Sequence, residues 1–277
     1  MEKVSNIIPF FKAELLGITQ EREVISWAYI VIRNLLGYNR SDCIIHVDKE
    51  ITIEISDEIK QIVRGLKTQK PLQYILGETE FYGIKFQVNE HTLIPRPETE
   101  ELVEWVLQEN FNSALDIGTG SGCIAIALAK HSKAAISAID ISEMALKVAK
   151  ENAAINEVKI DFIQQDILKT HSLLKVDVIV SNPPYVLDSE RRLIPKNVLS
   201  YEPDFALFVA DKNPLLFYKQ IGNLAAKSLN CGGKLYFEIN EQYGDEILEI
   251  LSKIGFVDIA LKKDINDKDR MIKAIWK

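Results

Sequence analysis

The alternation of strands and helices after residue 113 constrains the fold more than any other feature of the sequence. Short apolar runs typical of buried strands are separated by segments with helical apolar spacing. This order predicts a doubly wound α/β sheet of seven strands, mostly parallel, because parallel neighbours need helical crossovers. Only a polar loop separates the last two strands, which we expect to be antiparallel. The predicted strands are 114–117, 135–139, 160–164, 176–181, 233–239, 257–261 and 271–276, and the predicted helices are 122–130, 142–155, 214–229 and 242–254.

The first part of the chain, residues 1–72, has a helical pattern throughout. Apolar residues recur at helical spacing within 24–32, and a second helix is expected over 56–66. Thr19 is a candidate cap for the first of these helices and Ser56 a candidate start for the second. This part has no glycine-rich loop, so it predicts a small all-helical domain that serves recognition or packing.

A β-hairpin and a proline-rich segment follow the helical part. Two β-rich runs meet at Gly83, and we assign residues 73–95 to a β-hairpin linker between the helical domain and a domain of residues 96–277. Pro97 favours the start of a helix over 98–108. The extended segment before that helix either covers a ligand, with Arg96 and Glu98 in contact with it, or is only a rigid linker.

Composition excludes several classes of protein. The net charge of −7 disfavours a general nucleic-acid binder, which is usually basic. The three cysteines are far apart and form no zinc-binding pattern, and no apolar run approaches the length of a membrane span. We therefore expect a cytoplasmic protein with no metal site, no membrane contact and no direct contact with nucleic acid.

A glycine-rich turn joins the first strand of the sheet to the first helix of the alternation. It lacks a glycine at Cys123, which the dinucleotide-binding pattern requires, and it lacks the lysine of a P-loop. Its pattern is D-x-G-x-G-x-G, and such a turn lets the backbone approach a ligand at a helix N-terminus. The alternative is a turn with a structural role only. The candidate cofactor-binding residues of the turn are Asp116, Gly118, Thr119, Gly120, Ser121 and Gly122.

Acidic residues follow the next two strands. Asp140 ends the second strand about 20 residues after Gly120, where a carboxylate can accept hydrogen bonds from ribose hydroxyls. The glycine turn resembles motif I of class I S-adenosylmethionine-dependent methyltransferases, which have a Rossmann-like sheet. This resemblance implies S-adenosyl-L-methionine as cofactor and S-adenosyl-L-homocysteine as product. It also implies that Asp166 and Ile167, after the third strand, flank the adenine.

The fourth strand ends in Asn182-Pro183-Pro184-Tyr185. The prolines stiffen this loop and hold Asn182 in an extended conformation at the edge where α/β sheets bind ligands. A strand-ending turn is the alternative. The tetrapeptide resembles that of enzymes that methylate a nitrogen in a planar conjugated group. We predict that Asn182, Pro183 and Tyr185 are catalytic, that all four residues bind substrate, and that Asn182 also contacts the cofactor. In this hypothesis the Asn182 oxygen and the Pro183 carbonyl accept the substrate N–H groups, and Tyr185 stacks on the substrate.

The wider sequence resembles one family that shares this tetrapeptide. Residues 93–100, 73–77, 81–83, 201–203 and 206–207 are similar to the HemK/PrmC protein-(glutamine-N5) methyltransferases. The resemblance implies methylation of the glutamine in the Gly-Gly-Gln motif of peptide chain release factors, with the helical domain docking this protein partner. We expect a monomer.

Two alternatives remain open, an amino-group methyltransferase of adenine or guanine in DNA or ribosomal RNA and a binding protein without activity. The retained motif residues disfavour the second. The segment 187–197 matches the family loosely, so we expect it to be mobile and to face the partner. Arg191 and Arg192 are then partner contacts or simply solvated charges.

Overall fold

The protein divides into two compact units between Leu76 and Gly77. A computed structural model describes residues 2–277. The division lies four residues beyond the predicted end of the helical domain at residue 72, because a short fifth helix, Leu72–Leu76, continues that unit. The segment assigned to a linker therefore begins inside the smaller unit, and the rest of it belongs to the larger one.

The smaller unit consists of helices packed around an apolar core. The buried faces of these helices contribute Phe11, Val31 and Ile59, which are fully buried. Thr19 is not the cap of the first of the predicted helices, and the predicted start of the other at Ser56 was wrong. The second helix begins at Glu21 with Gln20 as N-cap, and the fourth is capped by Thr52, whose hydroxyl accepts the Ile55 N–H at 3.4 Å. The helices are α1 (Ile7–Leu15), α2 (Glu21–Leu36), α3 (Arg40–Ile45), α4 (Ile53–Lys67) and α5 (Leu72–Leu76).

The larger unit contains the predicted seven-stranded sheet, flanked by helices. The strands are β3 (Ser113–Ile117), β4 (Ala135–Asp140), β5 (Ile160–Gln164), β6 (Val176–Ser181), β9 (Leu229–Glu238), β10 (Val257–Lys263) and β11 (Asp269–Ile275), and the long helices are α6 (Pro97–Leu107), α7 (Cys123–His131), α8 (Glu143–Ile155), α11 (Leu216–Ser228) and α12 (Gly244–Ile254). The strand order is β10-β11-β9-β6-β3-β4-β5, and β11 pairs antiparallel with both of its neighbours. The doubly wound α/β prediction and the antiparallel final pair are confirmed.

The chain reverses its direction across the sheet at β3. From β3 it proceeds outward through β4 and β5, and it then returns to place β6 on the other side of β3. The carboxyl ends of β3, β4 and β6 therefore meet at one edge, which is the position where open α/β sheets bind ligands. The Ser181 hydroxyl donates to the Ile117 carbonyl at 2.7 Å and joins the ends of β6 and β3.

The hairpin, β1 (Glu78–Phe81) and β2 (Ile84–Gln87), packs on the larger unit. Phe81 and Phe86 are each 1% exposed and belong to the core beneath α6 and α7. The Asn152 side chain bonds both the N–H and the carbonyl of Gln87, at 2.6 and 2.9 Å, and the Ser121 carbonyl at 2.9 Å. The hairpin is thus an integral part of this unit, because Phe81 and Phe86 pack into the same apolar core as residues of α6 and α7.

The segment after the Asn-Pro-Pro-Tyr loop forms short regular elements. It contains β7 (Val186–Leu187), a 3-10 helix (Asp188–Leu193), α9 (Lys196–Tyr201), α10 (Asp204–Leu207) and β8 (Phe208–Val209), which pairs with β7. The Arg191 guanidinium contacts Asp204 at 2.8 Å and lies 3.7 Å from the centre of the Phe208 ring. Arg191 is therefore engaged within the chain, whereas Arg192 is exposed.

Within residues 2–277, no helix is long and apolar enough to cross a bilayer. Within the same residues, no three histidine, cysteine or acidic side chains are grouped so that they could hold a metal ion.

Candidate active site

The glycine-rich turn after β3 is held tightly against the neighbouring strand and helices. The N–H groups of Gly118 and Thr119 donate to the Ile139 carbonyl at 2.8 and 3.0 Å. Gly122 has a φ of +83°, and a Cβ there would lie 3.0 Å from Ile126 and 3.1 Å from Ala149. Only glycine fits this position without a shift of its neighbours. The packing of α7 and α8 therefore fixes the shape of the turn.

Asp116 lies beneath the turn and is fully buried. Its Oδ2 accepts the Thr119 hydroxyl at 2.6 Å, while Oδ1 has no hydrogen-bond partner among residues 2–277. Burial raises the pKa of Asp116 to about 7, and the bond from Thr119 only partly opposes this shift. An unpaired buried carboxylate oxygen is costly in a protein interior, so this atom is a candidate acceptor for a donor supplied by a ligand or a water.

Asp140 connects the end of β4 to the glycine turn. Its Oδ2 accepts the Gly120 N–H at 2.8 Å, and its Oδ1 accepts the Ser142 N–H at 2.9 Å. Burial raises the pKa of Asp140, and the backbone hydrogen bonds oppose this rise. Each oxygen retains a lone pair, so the carboxylate can accept two further hydrogen bonds.

A cavity of about 270 Å³ opens at the carboxyl edge of the sheet. It is lined mostly by apolar side chains with a few polar groups, as small-molecule sites are. The predicted site residues that line it are Gly118, Gly120, Asp140, Asp166, Ile167, Asn182, Pro183 and Pro184, and those that do not are Asp116, Thr119, Ser121, Gly122, Arg96, Glu98 and Tyr185.

Several residues that line the cavity were not predicted. Ile139 and Gln165 are the immediate sequence neighbours of predicted residues at strand ends, and this adjacency is the signal that could have indicated them. Phe205 on α10 and Phe217 on α11 come from distant parts of the sequence, and no local pattern distinguishes them from core residues. The Gln220 side chain of α11 bonds the carbonyls of residues 167 and 170, both at 3.0 Å, and so holds the turn after β5.

The Asn182 side chain is hydrogen-bonded to Thr99 and, through Thr99, connected to Glu238. Its Nδ2 donates to the Thr99 hydroxyl at 3.2 Å, and that hydroxyl donates to Glu238 Oε2 at 2.6 Å. The Tyr185 hydroxyl donates to Glu238 Oε1 at 3.0 Å. Burial raises the pKa of Tyr185, and the nearby charge of Glu238 adds to this rise. The bond to Glu238 thus holds the Tyr185 side chain in place, and Tyr185 is not among the residues that line the cavity.

The glycine turn and the Asn182 loop are direct neighbours. A Cβ built on Gly118 would lie 4.0 Å from the backbone oxygen of Asn182. A ligand bound at the turn would therefore reach the polar groups of the loop, and the arrangement suits transfer of a group between two molecules held side by side.

A buried ion pair holds the proline-rich segment near the cavity. Arg96 Nη2 donates to Glu202 Oε1 at 2.6 Å, and the Ile94 N–H donates to Glu202 Oε2 at 3.2 Å. Leu93 and Phe205, which lie close in sequence to these residues, line the cavity. The Arg96–Glu202 pair therefore joins the segment of Leu93 to the segment of Phe205. Glu98 does not line the cavity.

Known proteins are similar in sequence to this chain over nearly its whole length. A release factor glutamine methyltransferase from Flavobacterium psychrophilum is 48% identical over 280 residues, which cover 98% of each chain. The chain belongs to the release factor glutamine methyltransferase family. A further member of this methyltransferase family, from Bacteroides thetaiotaomicron, is 39% identical over 98% of this chain and 99% of its own.

Domain models agree with this family assignment, and a solved structure shares the fold of the larger part of the chain. The PrmC N-terminal domain matches residues 13–77, and the Methyltransferase small domain matches residues 97–199. A crystal structure of a methyltransferase from Pyrococcus furiosus superposes with a TM-score of 0.54 at 19% identity, covering 70% of this chain and 90% of that one. This likeness concerns the fold, and the family assignment rests on the sequence relatives.

Proposed function

We propose that the protein transfers a methyl group from S-adenosyl-L-methionine to the side-chain amide nitrogen of a glutamine in peptide chain release factors, within their Gly-Gly-Gln motif. The observation that carries this proposal is the side-by-side position of the glycine turn and Asn182 at one cavity. The names of the family members support the substrate. S-adenosyl-L-homocysteine is the second product.

The residues of the cavity fit this cofactor. Asp140 has lone pairs left for two ribose hydroxyls. Asp166 and Ile167 supply a polar and an apolar contact for the adenine, and Gly118 and Gly120 bring backbone close to the amino acid end. The unpaired Asp116 oxygen lies beneath this turn and can accept a donor through a water rather than through direct contact.

Asn182 and Pro183 activate the substrate nitrogen in this proposal. The cofactor supplies an electrophilic methyl group on a sulfonium. An amide nitrogen is a poor nucleophile because its lone pair is delocalised. The Asn182 Oδ1 and the Pro183 carbonyl accept its two N–H groups, which localises charge on nitrogen and aims it at the methyl group. The methyl–sulfur bond breaks as the nitrogen–carbon bond forms, and the methylated nitrogen then loses one of its two protons to solvent. Acceptors fixed in advance stabilise the positive charge that develops on nitrogen, and alignment supplies much of the rate.

The remaining loop residues support this geometry. Pro183 and Pro184 restrict the backbone so that Asn182 and the Pro183 carbonyl keep their relative positions. The bond from Tyr185 to Glu238 fixes the end of the loop. We assign Tyr185 the role of positioning the loop, in place of the stacking contact that the tetrapeptide suggested.

The partner in this proposal is a protein. The net charge of −7 supports a site that does not depend on nucleic-acid phosphates, and no observation favours the adenine or guanine alternative. We further propose that the enzyme acts as a cytoplasmic monomer, where release factors meet ribosomes.

Transfer of radiolabel tests this proposal. Purified protein is incubated with S-adenosylmethionine labelled in the methyl group and with either a release factor or total RNA and DNA. We expect label in the release factor, and none in a release factor whose Gly-Gly-Gln glutamine is replaced by alanine. Label in nucleic acid alone would contradict the proposal.

A further inference from the structure

Thr99 and Glu238 form a buried chain of hydrogen bonds behind Asn182. Thr99 lies in the first turn of α6 and is 2% exposed, and Glu238 ends β9 and is 1% exposed. Neither residue lines the cavity. Thr99 contacts the Asn182 side chain directly, and Glu238 bonds both Thr99 and the Tyr185 hydroxyl.

The direction of these hydrogen bonds is determined by the groups involved. A carboxylate only accepts, so both the Tyr185 hydroxyl and the Thr99 hydroxyl donate to Glu238. Burial raises the pKa of Glu238, whereas the hydrogen bonds from Thr99 and Tyr185 and the positive charge of Arg270 oppose this rise and favour the ionised form. The single proton of Thr99 is then committed to Glu238, and towards Asn182 its oxygen presents only lone pairs.

The orientation of the Asn182 amide follows from this direction. An oxygen that only accepts will pair with the NH₂ end of the amide and repel the carbonyl end. The Nδ2 therefore faces Thr99, which leaves Oδ1 on the other side of the group as an acceptor. In the reversed orientation an NH₂ group would meet the NH₂ group of the substrate, and neither could accept.

We propose that Thr99 and Glu238 are positioning residues that hold Asn182 with Oδ1 available to the substrate amide. This inference rests on the proposed function, because it assumes a substrate NH₂ group. It also gives the site a reason to prefer an amide to a carboxylic acid, since an ionised glutamate would bring two acceptors against Oδ1 and the Pro183 carbonyl.

Thr99→Val tests the proposal with little change of side-chain shape. The variant removes the hydroxyl, so the two Asn182 orientations become similar in energy. We expect kcat for release factor methylation to fall by about tenfold or more, the effect of one lost hydrogen bond. The Kd for S-adenosylmethionine, measured by calorimetry, should stay within about twofold. Thr99→Ser keeps the hydroxyl and should restore most of kcat.

Two further variants separate positioning from folding. Glu238→Gln keeps the volume but offers Thr99 an NH₂ donor, which frees the Thr99 proton to bond Asn182 Oδ1, so kcat should fall again. Ser228→Ala removes another buried hydroxyl, on α11, which bonds the Leu173 carbonyl at 3.4 Å. This control should leave kcat unchanged. Circular dichroism of each variant checks the fold.

A spectroscopic measurement examines the orientation without any substrate. In ¹H–¹⁵N spectra, the side-chain NH₂ signals of Asn182 are assigned by their loss in Asn182→Ala. We expect slowed hydrogen exchange of one NH₂ proton in wild type and in Thr99→Ser, and fast exchange in Thr99→Val. Equal exchange in wild type and Thr99→Val, or equal kcat, would overturn the positioning role. A wild-type enzyme that methylates no release factor would instead overturn the proposed function, and the exchange result would still decide the orientation.

Discussion

Loss of the Arg96–Glu202 ion pair should destabilise the protein far more than loss of a surface pair. The Glu202 side chain is 1% exposed and Arg96 is 34% exposed, with 2.6 Å between Nη2 and Oε1. In Arg96→Met the buried carboxylate retains only the Ile94 N–H at 3.2 Å. Breaking a buried pair costs about 3–5 kcal/mol, and solvent around the partly exposed arginine lowers our expectation to about 2–3 kcal/mol.

Thermal and urea unfolding measure this cost. For a unit of about 150–250 residues, each kcal/mol shifts Tm by about 2–4 °C, so Arg96→Met should lower Tm by about 4–12 °C. Lys85→Met is the matched control, because the Lys85–Glu78 pair is exposed, with side chains 72% and 34% accessible. It should change stability by less than about 1 kcal/mol.

A double variant decides whether the buried charge is the cause. Arg96→Met combined with Glu202→Leu removes both charges, and it should recover much of the stability that Arg96→Met loses. The reasoning would be refuted if Arg96→Met cost no more than Lys85→Met, or if the double variant were less stable than Arg96→Met alone.

Three further predictions concern the cofactor turn and the loop. Asn182→Ala should abolish methylation while calorimetry shows S-adenosylmethionine affinity within about threefold of wild type; full turnover would refute its role. Gly122→Ala should weaken cofactor binding and destabilise by about 2 kcal/mol or more, because its Cβ would crowd Ile126 and Ala149. The control Gly232→Ala, with a φ of +79° and open space around it, should cost only about 1 kcal/mol in urea unfolding. For Asp116, burial raises the pKa from 3.8 to about 7, so the folded state holds a proton that the unfolded state has lost between these values. As pH rises from about 4 to about 7, the unfolding free energy of wild type should therefore fall by up to about 1.4 kcal/mol per pH unit, and Asp116→Asn should remove this slope. Identical pH profiles of the two proteins would count against the raised pKa.

The sequence predicted the sheet well because each strand carries its own signal. The runs 160–164 and 176–181 coincide with β5 and β6 in the structure. β6 is a mostly buried apolar strand, whereas β5 is a half-exposed edge strand whose isoleucines and phenylalanine favour strand structure. The first part of β9 was missed. The strand begins at Leu229, four residues before the predicted start at Gly233. The prediction left this part out because residues 230–232 have the composition of a turn.

Features that depend on distant contacts could not be predicted in this way. The hairpin was assigned to a linker because only the folded unit shows that Phe81 and Phe86 complete its core. The hydrogen bond between the Tyr185 hydroxyl and the buried carboxylate of Glu238 joins residues 53 positions apart, so the loop sequence alone could not indicate it. Phe205 lines the cavity on a segment that Glu202 joins to Arg96, more than 100 residues earlier in the chain.

Mass spectrometry of the release factor tests the central claim most directly. A purified release factor is treated with S-adenosylmethionine and either the wild-type protein or Asn182→Ala, then digested and fragmented. With the wild-type protein we expect the mass of the Gly-Gly-Gln peptide to increase by one methyl group, located on the glutamine side-chain amide. With Asn182→Ala we expect no increase. A methyl group on any other residue, or an unmodified glutamine beside methylated nucleic acid, would contradict it.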